Sequence, residues 1–77
     1  MEVIVYTTPT CPWCKRAKEY LQNKGVKYKE INVAEDRNAA AEMISKSGQR
    51  GVPVIDIDGN IVVGFDREKI DNLLQIK

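Results

Sequence analysis

The fold is decided by one stretch near the N-terminus, VIVYTTPTCPWC, at residues 3–14. Its first five residues are β-branched or apolar nearly throughout, which is typical of a strand that is covered on both faces. Pro9 and Thr10 end that strand. Pro12 then begins a helix, because proline is favoured at the first helical position. The stretch is therefore a strand-to-helix junction, and it contains Cys11 and Cys14.

Helical periodicity follows the junction. Cys14, Ala17 and Leu21 recur on one face with charged residues between them, so we expect a helix over roughly residues 12–24. Residues 28–33 alternate weakly and predict a second strand. Because a helix connects the two strands, they are expected to lie parallel in a right-handed βαβ unit.

A second helix is expected between the polar run at residues 35–38 and Gly48, which supplies a stop signal. Adjacent acids in this run are typical capping residues, so we assign Glu35 and Asp36 no catalytic role. The predicted helical face is formed by four residues: Ala40, Met43, Ile44 and Ser47.

The last third of the chain predicts a hairpin and a third helix. Residues 52–57 and 61–63 flank Asp58-Gly59, the sequence signal for a type I′ turn between antiparallel strands. Asp66 is expected to cap the last helix, whose core positions are Ile70, Leu73 and Leu74. The predicted order is βαβαββα in a single domain over residues 1–77.

Composition excludes several classes of function. The 77 residues are 43% hydrophobic and 30% charged, which indicates one globular domain. Twelve Lys and Arg against eleven Asp and Glu give a net charge of +1, too even to favour nucleic acid or a membrane surface as a partner. There is neither a long apolar run nor a basic leader, so we expect a cytoplasmic protein.

Cys11 and Cys14 are the only cysteines, and the chain has no histidine. Ser-His and Cys-His hydrolase sites are therefore excluded within this chain, and a zinc site, which needs about four ligands, is not expected. A Cys-x-x-Cys pair at a strand-to-helix junction indicates a redox dithiol instead. Two alternatives remain: a static disulfide staple, and an iron–sulfur cluster shared by two chains through Cys11 of each copy.

The helix register separates the roles of the two sulfurs. Cys11 is expected at the N-cap, where the N–H groups of Trp13 and Cys14 and the helix dipole favour a thiolate. Lys15 and Arg16 add positive charge nearby. Cys14 is expected on the buried stripe, as the less acidic sulfur. We therefore expect Cys11 to attack a substrate disulfide and Cys14 to resolve the mixed disulfide. Trp13, between them, is expected to be an exposed contact surface, whereas Tyr6 fits core packing and site lining equally well.

Three segments, YTTPTCPWCKRAK (6–18), GVPV (51–54) and GFD (64–66), resemble the glutaredoxin branch of the thioredoxin superfamily. The resemblance spans nearly the whole chain. It implies a thioredoxin-like α/β fold, with a four-stranded mixed sheet flanked by three helices. Strands one and three would be central, with helices one and three on one face and helix two on the other. It also implies a cis peptide bond between Val52 and Pro53.

The resemblance further implies a site, partners and an activity. Substrate would pair with the backbone of Val52 and bind among Pro12, Trp13, Val52, Pro53, Gly64, Phe65 and Asp66, with Gly64 and the start of helix three offering N–H groups to a carboxylate. The protein would be a monomer without a tightly bound cofactor. Glutathione would be its cosubstrate, and its partners would be disulfide-containing proteins and either the glutathione reductase system or thioredoxin reductase.

One departure from the family pattern favours a second interpretation. Members that use glutathione commonly have a lysine two or three residues before the first cysteine, whereas this chain has Thr8 and Pro9 there. The Gly64-Phe65 pair also resembles redoxins that take electrons from thioredoxin reductase and serve ribonucleotide reductase. The alternative function is therefore such a redoxin, donating electrons to ribonucleotide reductase or a peroxidase.

Overall fold

The computed structural model describes residues 2–74 and confirms the order βαβαββα. The elements are β1 (Val3–Thr7), α1 (Pro12–Asn23), β2 (Lys29–Asn32), α2 (Arg37–Ser47), β3 (Val54–Ile57), β4 (Asn60–Val63) and α3 (Arg67–Leu74). No helix in this range is long and apolar enough to cross a membrane.

The four strands form one mixed sheet in the order β2-β1-β3-β4. β1 pairs with β2 in parallel and with β3 antiparallel, and β3 pairs with β4 antiparallel. Asp58 and Gly59 have φ values of 51° and 89°, the positive angles that a type I′ turn requires. The Gly59 N–H also donates to Asp56 Oδ1 at 2.7 Å, which ties the turn to β3.

Two hydrophobic clusters lie on opposite faces of the sheet. α1 and α3 cover one face, where the buried residues are Val3, Val5, Ala17, Leu21, Ile55, Ile57, Val62 and Ile70, and Leu73 and Leu74 pack against them half-buried. α2 covers the other face, with buried residues Tyr6, Ala39, Met43 and Val54. Tyr6 is therefore a core residue. This arrangement is the thioredoxin-like fold that the resemblance implied.

The buried face of α2 differs from the sequence prediction. Ala39 and Met43, four residues apart, contact the sheet, whereas Ala40 is half-buried and Ile44 is 38% exposed. The helix begins after the N-cap Asp36, whose Oδ1 accepts the Ala39 N–H at 3.0 Å. Successive residues of a helix point about 100° apart, so a helix that turns Met43 toward the sheet turns Ile44 toward solvent. The prediction that Ile44 is a core residue is wrong.

An ion pair between exposed Lys46 and buried Asp56 attaches α2 to the sheet. Lys46 Nζ donates to Tyr6 Oη and to Asp56 Oδ2, each at 2.9 Å. The hydrogen bond to Tyr6, followed by that to Asp56, raises the pKa of Lys46 above its ordinary value. The charge of buried Asp56 is therefore paired, as the cost of burying an isolated carboxylate requires.

The two neighbouring apolar residues of α2 provide a matched test of this register. We expect Met43→Ala to lower the free energy of unfolding by about 2–5 kcal/mol, because it leaves a cavity in the core. Ile44→Ala, on the exposed face, should change it by less than about 1 kcal/mol. Urea denaturation of both variants measures the difference, and equal losses would contradict the observed rotation of α2.

Candidate dithiol site

Cys11 lies at the N-cap of α1, immediately before Pro12 at the first helical position. Its φ and ψ of −94° and 110° are those of extended backbone, so its side chain folds back over the first turn. Of the two N–H groups expected to face the sulfur, that of Cys14 donates to Cys11 Sγ, at 3.1 Å. This donor and the positive end of the helix dipole therefore lie next to the Cys11 sulfur.

Cys14 lies one turn further along α1 on the face that packs against the sheet. It is fully buried, as are Ala17 and Leu21 on the same face. Burial, followed by the hydrogen bond with Cys11, raises the pKa of the Cys14 thiol above its ordinary value. Both cysteines are free thiols, and Cys11 is the more exposed. The site is thus a dithiol in which the Cys11 sulfur is accessible and the Cys14 sulfur is shielded from solvent.

A groove of about 280 Å³ is lined by Trp13, Val52, Pro53, Gly64 and Phe65. The Cys11 thiol points at one of its walls, because Cys11 Sγ lies 3.7 Å from the carbonyl oxygen of Val52. Five of the seven residues that sequence reasoning assigned to substrate binding therefore meet in one groove. The other two lie at helix starts: Pro12 is the first residue of α1, and Asp66 precedes α3 and accepts the Lys69 N–H at 3.2 Å.

Two backbone segments, Val52–Pro53 and Gly64, line the groove and are hydrogen-bonded to each other. The Val52–Pro53 peptide bond is cis, as the resemblance implied, and Gly64 has a φ of 77°, which favours glycine. The Gly64 N–H donates to the Pro53 carbonyl at 2.8 Å. This N–H is therefore not available to a substrate carboxylate, contrary to what the resemblance implied. Gly64 lines the groove without offering it this hydrogen-bond donor.

Trp13 is 55% exposed and forms the outer wall of the groove. Its ring centroid lies 6.4 Å from that of Phe65, and the Arg16 guanidinium lies 4.9 Å above it. Sequence reasoning missed this stacked arginine, although Arg16 is three residues after Trp13, a spacing at which helical side chains meet. Lys15 is exposed on the same turn, and its electrostatic support of Cys11 stays a prediction.

A second depression lies away from the thiols. It has a volume of about 600 Å³ and lies along β2 and the start of α2, where it is lined by residues 29–32 and 35–38. These residues bring no sulfur to it. In residues 2–74, moreover, no three His, Cys, Asp or Glu side chains are grouped as they would be to bind a metal ion.

The chain is similar in sequence to known thiol redox proteins, in agreement with the geometry of the Cys11–Cys14 site. The glutaredoxin family model matches residues 3–62. A glutaredoxin-like 8.6 kDa protein in the rubredoxin operon of Clostridium pasteurianum is 55% identical over 92% of this chain and 95% of its own length.

Solved structures give the same result. A mutant of the thioredoxin-like protein BC3987 superposes with a TM-score of 0.93 at 36% identity, covering 99% of this chain and 97% of its own. The NrdH-redoxin of Escherichia coli, a glutaredoxin-like protein with a thioredoxin-like activity profile, superposes with a TM-score of 0.80 at 27% identity, covering 100% and 96%. The chain belongs to the glutaredoxin family and is a thiol–disulfide oxidoreductase.

Proposed function

We propose that this protein reduces protein disulfides and glutathione mixed disulfides through Cys11 and Cys14, with glutathione as its cosubstrate. One observation carries the proposal: the accessible sulfur of Cys11 accepts the N–H of Cys14 at 3.1 Å, while the Cys14 sulfur is fully buried. The Cys11 sulfur is thus accessible for attack on a substrate disulfide, and the Cys14 sulfur is buried, as suits the sulfur that resolves the mixed disulfide.

The first step takes place at Cys11. Its thiolate attacks one sulfur of the substrate disulfide, a new S–S bond forms, and the other substrate sulfur leaves as a thiolate. The Val52 carbonyl, which faces the Cys11 thiol in the free protein, and the Val52 N–H would then bind the substrate backbone as a short β-ladder. The groove between Trp13 and Phe65 would receive the side chains next to the substrate cysteine.

The second step takes place at Cys14. Its thiol loses a proton and attacks Cys11, so that the mixed disulfide breaks, the substrate leaves as a thiolate and a Cys11–Cys14 disulfide remains. The substrate has gained two electrons and the protein has lost two. One glutathione would then open the internal disulfide at Cys11, and a second would remove the first as glutathione disulfide, restoring the dithiol.

A single chain provides both thiols and every wall of the groove. We propose that the protein acts as a monomer, and that it needs no tightly bound cofactor because thiol–disulfide exchange uses only the sulfurs. The two cysteines form one redox pair rather than a set of structural disulfides, which supports a reducing compartment such as the cytoplasm.

Two observations favour a second candidate, a redoxin reduced by thioredoxin reductase that donates electrons to ribonucleotide reductase or a peroxidase. Thr8 and Pro9 provide no cation before Cys11. The Gly64 N–H, which would bind a glutathione carboxylate, is already bonded to Pro53. The likeness to the NrdH-redoxin, with its thioredoxin-like activity profile, supports the same candidate.

Serine variants test the separate roles of the two sulfurs. We expect Cys11→Ser to abolish reduction of every disulfide, because the attacking thiolate is removed. Cys14→Ser should lose reduction of protein disulfides but keep part of the turnover with a glutathione mixed disulfide, which a second glutathione resolves. NADPH consumption in a coupled assay measures both, and retained activity in Cys11→Ser would contradict the proposal.

The electron donor is tested by supplying the missing cation. We expect turnover with glutathione and glutathione reductase, and we expect Pro9→Lys to lower the KM for glutathione about twofold to fivefold, the range of one exposed charge contact. Asn38→Lys, which adds the same charge at the depression beside α2, is the matched control and should leave that KM unchanged. Turnover with thioredoxin reductase alone would favour the second candidate instead.

A further inference from the structure

Three aromatic rings form a row that leads away from the dithiol. Trp13 lies 6.4 Å from Phe65 between ring centroids, and Phe65 lies 5.6 Å from Tyr20 in an edge-to-face arrangement. Trp13 and Tyr20 belong to α1, whereas Phe65 lies just before α3. The row therefore follows the junction between the two helices and connects the substrate groove to the surface beyond it.

A depression of about 320 Å³ lies along this junction. We name it the α1–α3 seam, and its lining residues are Arg16, Glu19, Tyr20, Asn23, Phe65 and Arg67. Phe65 lines both the seam and the substrate groove. A polypeptide that leaves the groove past Phe65 therefore enters the seam directly.

Three cations lie on the faces of these rings. Arg16 is 4.9 Å from the Trp13 centroid, and Arg67 and Lys24 are 5.3 and 5.5 Å from that of Tyr20. In the described part of the chain none of the three has a carboxylate within 4.0 Å. A guanidinium stacked on a ring keeps its N–H edges available, and that edge geometry matches a carboxylate.

Two acids lie in the same region. Glu19 lines the seam, and Asp71 accepts a hydrogen bond from the Tyr20 hydroxyl, so the Asp71 carboxylate already has a partner. The three cations outnumber these two acids. The seam is therefore a cationic and aromatic surface, continuous with the substrate groove.

We propose that the α1–α3 seam docks an acidic segment of the protein whose disulfide is reduced, a conclusion that rests on the proposed function. The ring-to-ring steps from Trp13 to Tyr20 are 6.4 and 5.6 Å. At about 3.3 Å per residue, roughly three or four residues of extended chain cover that distance. An acidic residue beside Trp13 would then meet Arg16, and a second one about three or four residues further along would meet Arg67.

The docked segment takes no part in the bond changes. Reduced Cys11 and Cys14 supply two electrons, the substrate disulfide becomes two thiols, and the Cys11–Cys14 disulfide forms. The seam affects how fast the protein and its substrate associate. Complementary charge raises the association rate, and salt reduces this effect by screening the charges.

The test uses two peptides, each carried as the mixed disulfide of one cysteine with 2-mercaptoethanol. One has glutamate at the first five positions on both sides of the cysteine, and the other has glutamine there. The prereduced protein reacts with each in the absence of any reductase, so the result does not depend on the electron donor. We expect the glutamate peptide to react about threefold to tenfold faster at low salt, with the ratio approaching one at high salt.

Charge-reversal variants test whether the difference between the two peptide rates depends on the seam. The variant Arg16→Glu/Arg67→Glu should bring the ratio of the two rates to one or below. Lys27→Glu/Lys29→Glu, which reverses two charges at and before the edge strand β2, should leave the ratio unchanged. Equal rates for the two peptides in the wild type, or an equal loss in Lys27→Glu/Lys29→Glu, would overturn the role of the seam while leaving the dithiol function intact. Failure to reduce either peptide would overturn both.

Discussion

The hydrogen bond from the Cys14 N–H to Cys11 Sγ is the interaction on which the proposed chemistry of this protein depends. It exists only if α1 begins at Pro12, because the N–H groups of the first turn have no partner inside the helix. The same register that aims this N–H at Cys11 turns the Cys14 side chain into the core. One helix start therefore creates an accessible sulfur that accepts a backbone N–H and a buried sulfur whose thiol pKa is raised.

The sheet places the residues of the groove next to that helix start. β1 and β3 are the two central strands and pair antiparallel, so the end of β1 that leads to Cys11 lies beside the start of β3. Val52 and Pro53, just before β3, are thereby placed against the thiol. The Gly64 N–H bonds the Pro53 carbonyl and fixes the far wall of the groove to the near one. α2 contributes from the opposite face, where the Lys46–Asp56 pair fastens it to β3.

Glutaredoxin-like proteins differ in what reduces them, and the features that bear on this choice lie around the dithiol rather than in it. Thr8 and Pro9 leave the approach to Cys11 without a cation, whereas Arg16, Lys24 and Arg67 gather on the opposite side of Trp13, over aromatic rings. The absence of a cation at Thr8 and Pro9 provides weaker support for a small anionic thiol as the reductant. The cations over the rings concern the protein substrate, which we propose to extend past Phe65. The dithiol itself is compatible with either reductant.

The sequence by itself determined the features that depend on neighbouring residues: the element order, the caps at Cys11 and Asp66, the turn at Asp58-Gly59 and the unequal burial of Cys11 and Cys14. Periodicity, caps and turns report local hydrogen bonds, so a sequence reveals them directly. Resemblance to a family added the strand order and the cis bond before Pro53.

Only the tertiary structure decided which way α2 faces, that the Gly64 N–H is already bonded, and that Phe65 lies beside Trp13. The rotation of a helix, and contacts between residues as distant in sequence as Trp13 and Phe65, follow from the packing of the whole core, which no local pattern encodes.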